Sequence, residues 1–240
     1  RKPSWFATAS RCPSRSNAMD WQALTLSLEL AFATLLILLP SGLWLARWLG
    51  RTRSRARTWI EAAVVLPLVL PPTVLGYYLL VSLGGQSPIG RWASDTLGVG
   101  LTFNFLGLLI ASVVFNIPFM VQPIQRSFEA IPHNLIEASV VSGLSTWSTF
   151  WRVELPLAWP GVLSALVLTF VHTLGEFGVV LMVGGSIPGE TRTIAIAIYD
   201  RVQAFDLQGA HLMSLTLLVF STFAVVASLW AGRRNPGGAR

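Results

Sequence analysis

The chain predicts an all-α, polytopic membrane protein with about five transmembrane helices. The first observation is composition: 53% of its 240 residues are apolar and only 12% charged, against about 25% charged in soluble domains. The second is that five separate stretches are long and apolar enough to cross a hydrocarbon core of about 30 Å, which needs roughly 20 residues in a helix. The third is that basic residues gather in short clusters beside those stretches and stay out of their middles, the pattern that sets orientation in a bilayer. The formal charge of +6 therefore reads as topology, and nucleic acid is not an expected partner. A single cysteine, Cys12, excludes an internal disulfide, and no Cys or His cluster has metal-ligand spacing, so no cofactor or metal is expected.

The expected spans run from Trp21 to Trp48, Ala62 to Leu83, Leu97 to Val121, Gly161 to Val183 and Ala210 to Gly232. Prolines fall inside the second, at Pro67, Pro71 and Pro72, and near the end of the third, at Pro118; packed neighbours can satisfy the carbonyls they free. Glu29 lies near one end of the first span and Glu176 inside the fourth. Residues 1–18 lack a continuous apolar core and are not a secretory signal. Met19 reads as the natural start, with 1–18 an extension, 19–232 a single transmembrane domain and 233–240 a tail.

Orientation follows from counting basic residues in alternate loops. Arg47, Arg51, Arg53, Arg55, Arg57, Arg126, Arg152, Arg233, Arg234 and Arg240 fall on one side, and Arg91, Arg192 and Arg201 on the other, ten against three. The Arg-rich loops and the C-terminus are thereby expected in the cytoplasm.

Between the third and fourth spans, residues 121–160 are too long and too patterned for a turn. They read as two short helices. Pro132 suits the start of the first and Gly143 its left-handed C-terminal cap; Ser145 or Thr146 suits the cap of the second, and Pro156 its end. Trp147, Phe150 and Trp151 recur at i, i+3 and i+4, which puts three aromatics on one face that needs a partner or an interface to rest in.

The order Glu137, Ala138, Ser139, three residues, Gly143, nine residues, Val153, one residue, Leu155, Pro156 resembles the cytoplasmic loop signature of bacterial ABC importer permeases. In that family Glu-Ala-Ala and Gly are followed at fixed distance by Ile-x-Leu-Pro; Ser139 and Val153 are the departures. The resemblance implies the type I importer-permease fold, with this loop as the coupling element that sits in a cleft of a separate cytoplasmic ATPase. ATP hydrolysis would then belong to a partner and the chain would catalyse nothing. Physically, a glycine lets two rigid helices meet sharply, small residues at 138 and 139 allow close approach, and Glu137 offers an anchoring charge.

Two further stretches, Pro67 to Tyr78 and His172 to Thr193, look like the molybdate-type permease subfamily. That likeness implies a homodimer, two ATP-binding-cassette subunits and a periplasmic or lipid-anchored binding protein that delivers molybdate or tungstate across the bacterial inner membrane. His172 and Glu176, at i and i+4, read as a hydrogen-bonded pair holding the fourth span to its neighbours, with a pathway-lining role second. An intramembrane metalloenzyme built on that pair is one alternative, and a secondary transporter with inverted repeats is another. No Lys or Arg lies deep in a span, which suits passage of an oxyanion over its capture.

From Thr191 to Phe205 the positions of Ile194, Ile198, Val202 and Phe205 favour a short outer helix. Ile194, Ile198 and Arg201 are candidates either for packing on the span tops or for contact with the delivering protein.

Overall fold

The computed structural model describes residues 19–233; residues 1–18 and 234–240, with Cys12, Arg234 and Arg240, lie outside it. Among the described residues every regular element is a helix. In chain order these are α1 (Trp21–Arg51), α2 (Ala56–Val69), α3 (Pro72–Leu83), α4 (Pro88–Leu97), α5 (Phe105–Glu129), α6 (His133–Val141), α7 (Thr146–Thr149), a π turn (Phe150–Glu154), α8 (Leu155–Gly175), α9 (Gly178–Gly184), α10 (Ile194–Gln203) and α11 (Leu207–Arg233). Four helical rods are long and apolar enough to cross a membrane, and the α2–α3 pair makes a fifth if it counts as one span.

The polar residues that start the helices explain where they start. Asp20 accepts a hydrogen bond from Ala23 N at 3.0 Å and Asn104 one from Gly107 N at 2.9 Å, so α1 and α5 each begin on a side chain that satisfies an otherwise unpaired backbone donor. At 31 residues α1 is about 46 Å long, well beyond a core of about 30 Å. Arg47 and Arg51 at its end can therefore sit outside the hydrocarbon.

Three expected spans change shape. The second breaks by 108° between α2 and α3. Leu70 precedes Pro71 and Pro71 precedes Pro72, and both take extended ψ values, 139° and 135°, because a following proline disfavours helical backbone. The third begins and ends about two turns later than expected: α4 stops on Gly98 in the left-handed region, φ 67°, and α5 then runs through Pro118 and Pro123 to Glu129. The fourth is displaced the other way. Thr146–Gly175 is a single 30-residue rod containing Pro156 and Pro160, and the backbone leaves the helix at Glu176 before α9. Residues 121–160 are therefore mostly helical rod, and the segment outside the rods shrinks to 130–145. Pro156 does not end a helix; it sits in the first turn of α8, beside the π turn, where a missing N–H costs little.

Helices α1, α5 and α8 pack against one another as the central triplet. One apolar cluster, with Leu49, Met120, Ile124, Phe128, Phe150 and Val162, fills their Arg-rich end. Another, with Leu75, Leu83, Phe115, Val179 and Val183, joins α3 and α9 to α5. Helix α11 packs on α8 and α10 and leaves most of its apolar surface, including Leu218, Phe223 and Trp230, uncovered, as suits a helix facing lipid or another apolar surface.

The tightest crossing in the triplet is at Gly161. A Cβ there would lie 1.8 Å from Ser127 Oγ and 2.7 Å from the Pro123 carbonyl oxygen, and the latter is backbone that cannot swing aside. Close approach through a small residue is how helices associate without a hydrophobic driving force. Gly161→Leu is therefore expected to destabilise the folded chain by roughly 1–3 kcal/mol through overpacking. Gly85, where an added Cβ would meet nothing within 4 Å, serves as control: Gly85→Ala should stay within about 0.5 kcal/mol. Thermal unfolding of both variants in detergent checks the contrast.

Candidate functional site

The segment between α5 and the Thr146–Gly175 rod builds a protruding tip. Helix α6 ends in a Schellman motif: Leu144 N donates to Ser139 O at 3.1 Å and Gly143 N to Val140 O at 2.9 Å, with Gly143 at φ 81°. Ser145 then caps α7 by accepting from Ser148 N at 3.2 Å. These are the turn and cap that the residue types predict. Ser139 is buried between the two helices, where its hydroxyl lies 2.6 Å from Ile136 O and 3.2 Å from Thr149 Oγ1, so the small residue there also bonds α6 to α7.

Glu137 and Ala138 are exposed, as are Leu135, Val140 and Val141, the last at 87%. Trp147 and Trp151 are exposed as well and meet edge to face at 5.7 Å. The tip thus offers one carboxylate amid uncovered apolar side chains.

The expected three-aromatic face divides. Phe150 is only 7% exposed; it turns inward onto Phe128 of α5, ring centres 6.5 Å apart, and beneath the Arg47 guanidinium at 4.9 Å. The reason is the core behind it: Phe150 joins the apolar cluster at the Arg-rich end of the triplet, while Trp147 and Trp151 face out. Val153 and Leu155 are half-buried, Leu155 against that same core, and Pro156 is exposed.

The residue that sequence reasoning passed over is Glu154. It is wholly buried, and both of its oxygens are used: Arg47 Nε lies 2.6 Å from Oε2, Arg47 Nη2 3.2 Å from Oε1 and Arg51 Nη1 2.7 Å from Oε1. Two guanidinium groups one turn apart on α1 thereby hold the base of the rod. Removing one partner of such a buried group leaves an uncompensated charge at a cost of about 3–5 kcal/mol. Each half left a local trace, since Arg47 and Arg51 stand at helical spacing and a lone carboxylate sits between the apolar Val153 and Leu155, but nothing in the sequence joins the two halves.

His172 and Glu176 do not act as a pair, because the helix that would align them ends at Gly175. Asn116 Nδ2 donates to Ser112 O at 2.8 Å, leaving Asn116 Oδ1 to accept from His172 Nδ1 at 3.1 Å. Ser112 Oγ lies 2.8 Å from Thr34 Oγ1, so a polar chain crosses α8, α5 and α1. The His172 ring stacks on Phe119 at 3.9 Å. Glu176 instead accepts from Val179 N at 2.8 Å and caps α9. Among the described residues no group of three or more His, Cys, Asp or Glu could hold a metal ion.

At the opposite end, α10 forms where the pattern places it, with Thr193 as its cap. Ile194, however, is fully buried and its N–H donates to Ser27 Oγ of α1 at 2.8 Å, so it packs and is not available to an outside partner. Ile198 is half-buried and Arg201 is ion-paired with Asp206 at 2.8 Å, while Val202 and Phe205 are exposed.

Residues 21–236 match the family described as binding-protein-dependent transport system inner membrane component. The molybdenum transport system permease protein ModB of Azotobacter vinelandii is 49% identical over 220 residues, 91% of this chain and 96% of that one. Its namesake in Escherichia coli K12 is 35% identical over 215 residues, 89% and 94% of the two chains. A probable sulfate transport system permease protein of Chlorella vulgaris is 29% identical over 204 residues, 85% and 76%. Among solved structures, a bacterial ABC transporter that imports alginate superposes with a TM-score of 0.73 at 18% identity, covering 89% of this chain and 79% of that one. The methionine ABC transporter MetNI in an inward-facing form gives 0.65 at 18%, covering 90% and 93%. The apolar rods, the Gly143-capped tip at a fixed distance from Leu155 and Pro156, and a match over nearly the whole chain converge: this chain belongs to the binding-protein-dependent transport system inner membrane components, the permease subunits of ABC importers.

Proposed function

We propose that the chain forms, as a homodimer, the membrane pathway of an ABC importer for molybdate or tungstate, driven by two cytoplasmic ATPase subunits and fed by an extracytoplasmic oxyanion-binding protein. The observation that carries this reading is the tip: an exposed helix pair with Glu137 at its surface, fastened to the central triplet at its base. Such a rigid, partly apolar projection fits a groove on another protein. The substrate comes from the relatives named as molybdenum permeases, at 49% and 35% identity over most of the chain. The Arg-rich ends of α1, α2 and α5, and with them the tip, face the cytoplasm on the loop-charge argument.

In this mechanism ATP-driven closure of the ATPase pair carries the two tips together and rocks the triplets between inward-open and outward-open arrangements. Five spans enclose little space alone, and the uncovered apolar faces of α3 and α11 leave surface for a second copy as well as for lipid. No Lys or Arg lies deep in a span to hold the oxyanion, so selection falls mainly to the binding protein. On the outer side, Val202 and Phe205 of the α10 end are better placed than Ile194 to meet that protein.

Liposome assays with radiolabelled molybdate, tungstate and sulfate, adding ATPase and binding protein one at a time, test the reading. Uptake of molybdate or tungstate that requires both partners and ATP is the expected result; sulfate uptake alone would move the substrate assignment and leave the permease standing. Gly143→Val should place a branched side chain at positive φ, strain of roughly 1–2 kcal/mol. Retention of the ATPase subunit on purification should then fall by about tenfold, with the spans still folded by circular dichroism. Wild-type retention in that variant would remove the tip from the ATPase contact.

A further inference from the structure

We propose that the clamp of Arg47 and Arg51 on Glu154 is the joint that passes displacement of the α6–α7 tip to α1, which makes Glu154 a positioning residue for transport. This rests on the reading of the tip as the ATPase contact. Helix α6 packs mainly on α7 and the π turn, so motion imposed on it enters the body of the protein through the base of the Thr146–Gly175 rod. At that base two side chains, four residues apart, reach inward to the central triplet. Phe150 presses on Phe128 of α5 and lies under the Arg47 guanidinium of α1, so only its ring contact reaches α5, whereas Glu154 grips α1 alone.

The two contacts differ in kind. A ring against a ring is non-directional and can slide, whereas a carboxylate held through both oxygens by two guanidinium groups fixes orientation as well as distance. The charge balance sharpens this: Arg47 and Arg51 are one turn apart on one helix, and Glu154 is the carboxylate that lets these like charges share one site. Cohesion alone would be served at least as well by apolar residues of similar volume, since a buried ion cluster is weak as a source of stability. What it supplies instead is a single register between rod and α1. The π turn at the same place, closed by Leu155 N on Phe150 O, is the kind of local widening that is uncommon in helices and frequent at functional sites.

The test measures ATP hydrolysed per molybdate imported, with the permease reconstituted in liposomes beside its ATPase and binding protein. Glu154→Gln should retain the ATPase subunit and still hydrolyse ATP, but the ratio should rise by about tenfold, within the range typical of coupling between sites; Glu154→Asp should bring most of it back. A wild-type ratio in Glu154→Gln overturns the proposal.

If Glu154→Gln fails to assemble, a second variant decides. Arg47→Cys with Glu154→Cys, in a Cys12→Ser background, is joined by a short bismaleimide. Recovery of the ratio on cross-linking supports a mechanical joint. No recovery, or failure of this variant to assemble as well, overturns it, because the clamp would then serve folding alone. A wild-type chain that neither retains an ATPase nor imports any oxyanion would sink the permease reading itself, a result distinct from normal import with an unaffected Glu154→Gln.

Discussion

A bilayer offers no partner to a backbone amide or carbonyl, so every interruption of a helix inside it must be repaired by the protein itself. In this chain the interruptions are few and they meet. The chain bends between α2 and α3 at Pro71 and Pro72, and leaves the α8 helix at Glu176. The two breaks touch, since a Cβ on Gly178 would lie 2.8 Å from Pro72 Cβ. Glu176 then does for α9 what Asp20 and Asn104 do for α1 and α5, accepting a backbone N–H at the start of a helix. A carboxylate inside an apolar segment looks functional by default, yet its first duty here is to complete the backbone. The same economy applies to His172, whose bond to Asn116 continues to Ser112 and Thr34 and ties the central triplet across its middle.

At the Arg-rich end water is near and charge becomes usable. There α1 runs beyond the thickness of a hydrocarbon core and carries Arg47 and Arg51 to Glu154, while Arg57 joins Glu61 of its own helix to Glu129 of α5. The second cluster is about one-third exposed and contributes little to stability. In the first the carboxylate is wholly buried, so it orients the guanidinium groups it holds. The tip beyond it keeps Glu137, Val141, Trp147 and Trp151 outside. A rigid base under a partly apolar projection is the arrangement a transmitted movement needs.

Fold and cargo are inherited at different depths. Importers of alginate and methionine share the fold at 18% identity, so the arrangement of the helices does not depend on most side chains. A fold shared so widely says little about cargo. Molybdate or tungstate as cargo rests on relatives with far more identity and on spans that carry no Lys or Arg deep inside.

Composition and local rules determined a good deal without tertiary structure: membrane spans, because apolar length is a local property; the Gly143 turn and Ser145 cap, because left-handed backbone and an unpaired N–H each call for particular residues; and the family signature from Glu137 to Pro156. Helix ends were not legible from apolarity, since Leu97 to Val121 is the more apolar window and yet α5 runs on through Gln122, Gln125 and Arg126 to Glu129; the caps at Gly98 and Asn104 settle the choice. Helical spacing put Phe150 with Trp147 and Trp151, and His172 with Glu176. Only packing could show that Phe150 faces a core contributed by α1 and α5, and that the backbone turns away before Glu176. Glu154 illustrates the limit. Its partners lie more than 100 residues away along the chain, and no pattern of nearby residues records a contact that exists only when α1 and α8 lie side by side.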